Sequence, residues 1–216
     1  MKKIKINESQ YNFLINEAAM NGFSVQELAN MKSFNNRVNY CKKMLGNYIG
    51  NGSSRIVFQI DDEKVLKLAK NNKGIAQNEA EADWGAQGYD VLPKLYEVDD
   101  EYKYIISEFV LPSKPQDFKQ CLGIDFNEFC QFVTFQYNAY ARRPYRCNMN
   151  KERFNELYEK VEWLQWFVSY MGDYQLPLGD LIRIQNYGLT YRFNQPMIVL
   201  LDSGLTEEVF NDYYRR

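Results

Sequence analysis

Two short runs in the first half of the chain decide its fold. Residues 50–57 read Gly50-Asn51-Gly52-Ser53-Ser54-Arg55-Ile56-Val57, and residues 64–69 read Lys64-Val65-Leu66-Lys67-Leu68-Ala69. Their alternation of apolar and polar residues predicts strands at Arg55–Ile60 and Lys64–Leu68, joined by the polar turn at residues 61–63. These strands place a sheet in the first half of the chain, directly after two glycines.

The residues before and after these strands predict further elements of a strand-rich first lobe. Residues 8–45 are predicted to be helical, in two pieces joined around Asn21-Gly22, because apolar residues recur near helical spacing at Phe13, Leu14, Ala18, Val38, Cys41, Met44 and Leu45. Ile75–Trp84 is predicted to be a helix, and Val91–Val98 with Tyr102–Phe109 a strand pair. Pro112 and Pro115 then interrupt regular structure and mark a lobe boundary.

The second half is predicted to be mainly helical. Helices are expected at Phe126–Tyr140 and Asn150–Met171, the latter capped by Asn150 and ended by Gly172. Strands are expected at Tyr187–Arg192 and Met197–Leu201, with residues 193–196 as the turn. The chain is therefore predicted to be α+β, with a helical extension at residues 1–45, a sheet-containing lobe at 46–112 and a helical lobe with a small hairpin at 113–216.

Composition limits the chemistry open to this chain. Its 216 residues carry 26 basic and 28 acidic side chains, a formal net charge of −2, and no histidine. Such a balance gives no overall field that would recruit nucleic acid or an anionic membrane. Without imidazole, Ser-His-Asp and Cys-His nucleophiles, His-ligated zinc and histidine pH switches are excluded. Any catalysis must use carboxylates, lysine, arginine, amides, backbone dipoles or a hard metal ion.

The cysteines and the apolar runs predict a cytoplasmic protein. The four cysteines are widely spaced, form no C-x-x-C pair and are interpreted as reduced thiols. No apolar run follows the basic start of the sequence, so no signal peptide is expected. No segment is long enough to cross a bilayer, so no membrane partner is expected.

The glycine-rich turn is the first candidate binding element. Gly50 and Gly52 stand at alternate positions before a strand, where backbone N–H groups can approach phosphate oxygens closely. Val57 lies where an apolar side chain could pack on a planar ring. The alternative is a hairpin turn that needs only the backbone freedom of glycine. A Rossmann site is disfavoured because a strand, and not a helix, follows the glycines.

Lys67 is the second candidate. On a strand, Val65, Lys67 and Ala69 share one face while Leu66 and Leu68 share the other. A lysine facing a cleft is a good phosphate ligand if an acid holds its ammonium group. That acid could be Glu79 or Glu81 in the following helix. The alternative is an exposed lysine on an edge strand.

Two carboxylates in the second half are the third candidate. Asp180 stands in Leu178-Gly179-Asp180-Leu181, Asn186 follows, and Asp202 stands after an apolar strand in Leu201-Asp202-Ser203-Gly204. A carboxylate after a strand and next to glycine suits a hard metal ion, and a second carboxylate could deprotonate a hydroxyl nucleophile. The alternative is that both are ordinary turn sequences.

The order of these motifs resembles the protein-kinase-like fold. The features follow one another as they do in that family. In the first half they are a glycine-rich hairpin, a strand lysine, a helix glutamate and the strand ending Ser107-Glu108-Phe109-Val110. A helical lobe comes next, and then Gly-Asp-Leu, an asparagine, a hairpin and Asp-Ser-Gly. The resemblance covers residues 46–110 and 176–210. It is closer to the aminoglycoside-phosphotransferase branch and to small phage-encoded kinase-like proteins than to regulatory kinases.

The resemblance implies a bilobal kinase-like fold that binds ATP and Mg²⁺. The nucleotide would be covered by Gly50, Gly52, Ser53 and Val57. Lys67 would hold its phosphates and pair with Glu81, and Glu108 to Val110 would meet the adenine edge. Asp180 would be the catalytic base, and Asn186 and Asp202 would hold the metal. Lys67, Asp180 and Asp202 are expected to converge on one crevice. The implied activity is transfer of the terminal phosphate to a hydroxyl of an unidentified protein or small-molecule acceptor.

Departures from the family pattern keep other functions open. Leu178 replaces the family's histidine, Asn186 is six residues after Asp180 where the family has five, and Ser203 replaces phenylalanine. Only 12 residues follow Gly204, so the acceptor is expected to be held by the intervening helices or by a protein partner that completes the second lobe. The alternatives are a pseudokinase that serves as a binding or assembly module, in host cytoplasm or a phage particle, and a transferase of AMP.

Three further features have a functional and a structural interpretation. Arg142-Arg143-Pro144-Tyr145-Arg146 could bind a phosphorylated acceptor or nucleic acid, or be a solvated loop offset by neighbouring acids. The aromatic stripe Trp163, Trp166, Phe167 and Tyr170 could be a docking face, although core packing is favoured. The N-terminal extension could dock on a partner or brace the first lobe.

Overall fold

The computed structural model describes residues 22–214, so the helix expected around Phe13, Leu14 and Ala18 lies outside the described residues. These residues divide into two compact units. The first comprises residues up to Asn78 together with Leu95–Phe109, and the second comprises Glu79–Lys94 together with the chain from Val110 onward. The prediction of an α+β chain with antiparallel sheets is confirmed.

The first unit is an antiparallel sheet of five strands with helices on one face. Its elements are α1 (Val25–Asn30), α2 (Phe34–Leu45), β1 (Tyr48–Asn51), β2 (Arg55–Gln59), β3 (Lys64–Ala69), β4 (Leu95–Val98) and β5 (Tyr104–Glu108). The strand order is β1-β2-β3-β5-β4. Helix α3 (Asn72–Glu81) follows β3, and the division between the units falls within its last turn.

Alternating side chains of the central strands form the core of the first unit. Leu66 and Leu68 of β3 are fully buried in one cluster with apolar residues of β2 and β5. Leu28 of α1 and Cys41 of α2 belong to the same cluster, so residues 25–45 brace this face of the sheet. Burial raises the pKa of the Cys41 thiol to about 12, which makes it a packing residue rather than a nucleophile.

The predicted strand at Val91–Val98 is wrong in its first half, because the strand begins only at Leu95. Pro93 cannot donate a ladder hydrogen bond. Val91 and Leu92 are instead buried in the core of the second unit, where the Val91 carbonyl accepts a 2.8 Å hydrogen bond from the Leu200 N–H.

The second unit packs helices around a small antiparallel sheet. Its elements are α4 (Trp84–Gln87), β6 (Leu111–Pro112), α5 (Pro115–Leu122), α6 (Phe126–Asn138), α7 (Lys151–Lys160), α8 (Glu162–Tyr174), α9 (Leu178–Leu181), a 3₁₀ turn (Ile184–Asn186), β7 (Tyr187–Arg192), β8 (Gln195–Leu200) and α10 (Glu207–Tyr213). The sheet order is β6-β7-β8. Phe129 lies at the centre of the core, with its ring against those of Phe118, Phe167 and Tyr187.

The single helix expected at Asn150–Met171 is two helices. Val161 is extended, with φ −117° and ψ 97°, and it ends α7 and begins α8. Its side chain packs against the core of the second unit, and this contact overrides the continuous helical pattern. The Asn150 cap is confirmed, since its side chain accepts a 2.8 Å hydrogen bond from the Arg153 N–H. The helix passes Gly172 and ends at Tyr174, and the capping residue Gln175 adopts φ 47°.

The aromatic stripe at residues 163–170 mostly packs in the core, which is the interpretation that the sequence favoured. Phe167 and Tyr170 are fully buried and Trp163 is partly buried, but Trp166 is 43% exposed. The turn of the β7–β8 hairpin is shorter than predicted, because only Phe193 and Asn194 connect the strands. Between Gly22 and Tyr214, none of the helices combines the length and the apolar character that crossing a bilayer requires.

Candidate functional site

The glycine-rich turn joins β1 to β2 and is held by side chains that sequence reasoning missed. Within the turn, the Gly52 N–H donates to the Arg55 carbonyl at 2.9 Å. Lys70 Nζ donates to the Gly52 carbonyl at 2.7 Å, and Asn71 Nδ2 donates to the Ser53 carbonyl at 3.1 Å. These bonds occupy the carbonyl oxygens, while the Ser53 N–H donates to no residue within 22–214. The turn therefore offers a donor to an anion.

The conformation of the turn does not require its glycines. Among the glycines that the structure describes, only Gly46 and Gly123 have positive φ. A Cβ added to Gly52 would come no closer than 3.7 Å to its neighbours, and one added to Gly50 no closer than 3.5 Å. The alternative of a turn that needs glycine backbone freedom is therefore wrong. What the two glycines do supply is a surface without side chains, which a ligand could approach closely.

Gly50, Val57 and Lys67 form one row across the first sheet. Gly50 pairs with Val57, and Val57 pairs with Lys67. Paired residues of antiparallel strands project to the same face, so Val57 and Lys67 share the face opposite Leu66 and Leu68. Lys67 is only 7% exposed and lies on the central strand of the five. The alternative of an exposed lysine on an edge strand is therefore wrong.

A buried polar network at Asn78 fixes α3 against the strand that carries Lys67. Asn78, fully buried, donates through Nδ2 to the Tyr102 carbonyl at 2.9 Å and to the Lys67 carbonyl at 3.4 Å. Its Oδ1 accepts from Arg55 Nη1 at 3.3 Å. Gly74 permits the close approach, since a Cβ there would lie 2.3 Å from the Ser54 carbonyl oxygen. The sequence signal for this contact was the pair of polar residues Gln77-Asn78 on an amphipathic helix.

The remaining predicted nucleotide residues lie near element ends. Glu81 is 3% exposed at the end of α3, whereas Glu79 is exposed, so Glu81 is the acid withdrawn from solvent. Glu108 ends β5, where it pairs with Lys64. Val110 is 8% exposed and belongs to the second unit, where it contacts the backbone at Gly188.

The second unit holds Asp180 on the short helix α9. Leu178 and Leu181 flank it and are both buried in the core. The hydroxyl of Tyr187, which is fully buried, donates a 2.6 Å hydrogen bond to the Leu181 carbonyl. Asp180 is thereby presented from a turn that is anchored on both sides.

Two charged neighbours set the acidity of Asp180. Burial raises its pKa, the negative charge of Asp202 raises it further, and Arg183 opposes both effects. Arg183 Nη1 lies 3.5 Å from Asp180 Oδ1. Asp180 and Asp202 are therefore brought together within one unit, as a carboxylate of raised pKa beside a second carboxylate.

Asn186 connects the two carboxylates through backbone contacts. Its Nδ2 donates to the Asp180 carbonyl at 2.9 Å, and its own carbonyl accepts from the Leu201 N–H at 2.7 Å, next to Asp202. The amide oxygen Oδ1 receives no hydrogen bond from a described residue. The Asp202 carboxylate and Asn186 Oδ1 supply oxygen atoms, the hard donors that Mg²⁺ binds in proteins together with water and phosphate. Over residues 22–214, no group of three or more Cys, Asp or Glu side chains could hold a metal ion.

Tyr170 is a residue near the carboxylates that sequence reasoning assigned only to the core. Burial raises the pKa of its phenol, the neighbouring Ser203 hydroxyl opposes this, and the charges of Glu81 and Asp202 raise it further. The Tyr170 and Ser203 hydroxyls are buried, and neither makes a hydrogen bond of regular geometry within the part of the chain that the structure describes. The charges of Glu81 and Asp202 and the Ser203 hydroxyl therefore all act on one buried phenol within the second unit.

Comparisons with known proteins identify no relative of this chain, so the function is inferred from the residues described above. No family model, no curated protein and no solved structure matches the chain.

Proposed function

We propose that this chain is an ATP- and Mg²⁺-dependent phosphotransferase of kinase-like fold, which transfers the terminal phosphate to a hydroxyl of a protein or small-molecule acceptor. The observation that carries the proposal is the raised pKa of Asp180 beside Asp202. A carboxylate whose pKa is raised toward the working pH is a better general base. A second carboxylate after a strand is a suitable ligand for a hard metal ion.

Lys67 and the glycine-rich turn would bind the phosphates. Lys67 is nearly buried on a central strand, where its ammonium group loses little conformational freedom on binding an anion. The turn has its carbonyls occupied by Lys70 and Asn71, and it retains the Ser53 N–H as a donor. Val57, which is in register with Lys67, would pack on the adenine ring.

Asp180 would accept the proton of the acceptor hydroxyl. As the acceptor oxygen bonds to the terminal phosphorus, the bond from that phosphorus to the bridging oxygen breaks and ADP leaves. Asp202 and Asn186 would hold Mg²⁺, which neutralises phosphate charge when bound. Arg183, which is 3.5 Å from Asp180, would keep the base oriented. The proposal requires Lys67, Asp180 and Asp202 to act on one nucleotide, which stays a prediction.

Support for the kinase-like fold comes from the order of elements. A five-stranded antiparallel sheet carries the glycine turn, the lysine on β3 and then helix α3. Helices follow, then the turn with Asp180, and a hairpin that ends just before Asp202. This order of glycine turn, strand lysine, helices and hairpin is what supports the proposed fold.

A second candidate function is a pseudokinase that binds nucleotide or a protein without transfer. The buried Leu178, 5% exposed, favours it, because it stands where the family has a histidine beside the catalytic aspartate. The Asn186 amide, which donates to the Asp180 backbone, also has a structural use in the absence of metal.

Thermal unfolding with and without ATP and Mg²⁺ tests nucleotide binding. A ligand at a hundred times its Kd adds about 2.7 kcal/mol to the free energy of unfolding. We expect the midpoint of the wild-type protein to rise with ATP–Mg²⁺, and the rise to be lost in Lys67→Met, whose own midpoint is measured first. An unchanged wild-type midpoint with saturating ATP–Mg²⁺ would overturn the phosphotransferase and the nucleotide-binding form of the pseudokinase.

Loss of the terminal phosphate from labelled ATP separates the candidates. With water or the protein's own hydroxyls as acceptor, we expect slow release that depends on Mg²⁺ and is reduced at least about a hundredfold in Asp180→Asn and Asp202→Asn. Asp212→Asn, an exposed position on α10, is the matched control and should retain the wild-type rate. A rise in the unfolding midpoint with ATP, without any release of the terminal phosphate, supports the pseudokinase. Transfer of label to an acceptor from ATP labelled on the α-phosphate, and not from ATP labelled on the terminal phosphate, supports AMP transfer.

A further inference from the structure

The loop after α6 carries a cluster of arginines that form no ion pair with any residue that the structure describes. Arg142, Arg143 and Arg146 are exposed and form no ion pair within residues 22–214. The other described arginines of the second unit, Arg153, Arg183 and Arg192, each pair with a carboxylate. No described acid therefore forms an ion pair with these three arginines, and their guanidinium groups are available to a ligand.

Hydrogen bonds to α6 hold this loop in one conformation. Asn138 Nδ2 donates to the Tyr145 carbonyl at 2.9 Å, and Asn138 Oδ1 accepts from the Tyr145 N–H at 2.7 Å. Gln131 Oε1 accepts from the Asn148 N–H at 2.8 Å. A loop that is already ordered loses little conformational entropy when it binds a ligand.

Two exposed tyrosines flank the arginines. Tyr145 is 55% exposed and its ring meets the edge of Tyr137, with centroids 5.8 Å apart. Tyr140 is 39% exposed and packs on the same Tyr137 at 5.0 Å. Tyr137 is partly buried against the core of the second unit and contacts both rings, and each ring retains an exposed surface.

We propose that the segment Tyr140–Arg146 binds single-stranded nucleic acid. The guanidinium groups of arginine donate paired hydrogen bonds to phosphate oxygens, and tyrosine rings stack on unpaired bases. The two residue types together therefore suit a single strand. A duplex conceals the faces of its bases, and a phosphopeptide would engage the arginines without needing the tyrosines. This binding is independent of the proposed phosphotransfer, because it uses none of the residues assigned to the nucleotide or the metal.

The neighbours of Tyr137 place this segment near the turn that carries Asp180. Burial raises the pKa of Tyr137, and a backbone group of Leu178 opposes that rise. Burial is the largest cause of the raised pKa of both Tyr137 and Tyr140, and the charge of Glu207 lies close enough to raise both pKa values further. A bound phosphate chain would be repelled by Glu207, so Glu207 sets a limit on affinity.

Fluorescence anisotropy with a labelled oligouridylate of about 12 nucleotides tests the proposal on the full chain without ATP. Replacing Arg142, Arg143 and Arg146 by alanine should weaken binding at least about tenfold and reduce the slope of log K against log salt by about 2. Tyr145→Leu should weaken binding about tenfold, since stacking is lost. Glu207→Gln should strengthen binding.

Matched controls decide the outcome. Replacing Lys32, Lys42 and Lys43 of the first unit removes the same charge from exposed positions and should change affinity by less than about twofold. Equal losses in the two triple variants, an unchanged affinity in Tyr145→Leu, equal binding of a duplex, or no binding by the wild type would each overturn the proposal. The triple arginine variant should retain the ATP-dependent rise in unfolding midpoint, so failure of this proposal is distinguishable from failure of the proposed function.

Discussion

Asp202 lies close enough to Asp180 for its negative charge to add to the effect of burial and raise the pKa of Asp180. A carboxyl group whose pKa is higher in the folded than in the unfolded protein favours folding only while it is protonated. The free energy of unfolding therefore falls as pH rises from the unfolded pKa of Asp, about 3.9, through the folded pKa. Above that range the ionised carboxylate disfavours the fold by a constant amount.

The first prediction concerns the stability of Asp180→Asn. We expect this substitution to raise the unfolding midpoint at neutral pH, and the gain to shrink at pH values below the ordinary pKa of Asp, where wild-type Asp180 is protonated. Thermal unfolding measured across this pH range checks it, with Asp212→Asn as the exposed control. A lower midpoint for Asp180→Asn at neutral pH would contradict the assignment of a raised pKa.

The second prediction concerns the charges around Asp180. Asp202→Asn removes a like charge and should lower the pKa of Asp180, while Arg183→Gln removes an opposite charge and should raise it. Carbon NMR of the Asp180 carboxyl group during a pH titration measures both shifts. Shifts of the same sign in the two variants would show that the Asp180 side chain is not placed between these groups.

The third prediction compares two helical glycines. Gly74→Ala should destabilise the protein by about 1–3 kcal/mol, because its Cβ would lie 2.3 Å from the backbone oxygen of Ser54. Gly172→Ala should stabilise it by about 0.5–1 kcal/mol, since nothing lies within 4 Å of a Cβ on that glycine in α8. Denaturant unfolding measures both, and equal effects would disprove the close contact of α3.

The fourth prediction concerns the β7–β8 turn. Phe193 and Asn194 have φ values of 52° and 62°, which a phenylalanine adopts at a cost. Phe193 is 99% exposed, so its ring contributes no packing. Phe193→Asn together with Asn194→Gly should raise stability by about 1 kcal/mol, measured as an increased unfolding midpoint. Phe193→Ala alone, which retains a side chain at positive φ, should gain less.

The fifth prediction concerns the buried amide of Asn78. Asn78→Ala removes the hydrogen-bond acceptor of Arg55 Nη1 and the amide donor to the Lys67 and Tyr102 carbonyls, and it should cost about 2–4 kcal/mol. Asn39→Ala, at an exposed position of α2, is the matched control and should change stability by less than about 0.5 kcal/mol. If the two variants unfold together, the network does not hold α3.

Strands β2 and β3 were predictable because successive residues of a strand project to opposite faces of its sheet, and the sequence of these two runs alternates with that period. The pattern Val65, Lys67 and Ala69 against Leu66 and Leu68 appears in the sheet as expected. The break at Val161 was not predictable, since apolar residues continue at helical spacing on both sides of it. Only the packing of Val161 against the second core distinguishes two helices from one.

The sequence by itself determined the α+β class, the strands β2, β3, β5, β7 and β8, and which side chains could carry chemistry, because these depend on local period and residue type. Only the tertiary structure decided that Lys67 is nearly buried on a central strand, that Asp202 raises the pKa of Asp180, and that Tyr170 lies near Glu81 and Asp202. Burial and the proximity of charges depend on residues that are distant in the chain, and the local pattern of one sequence does not show which distant residues come into contact.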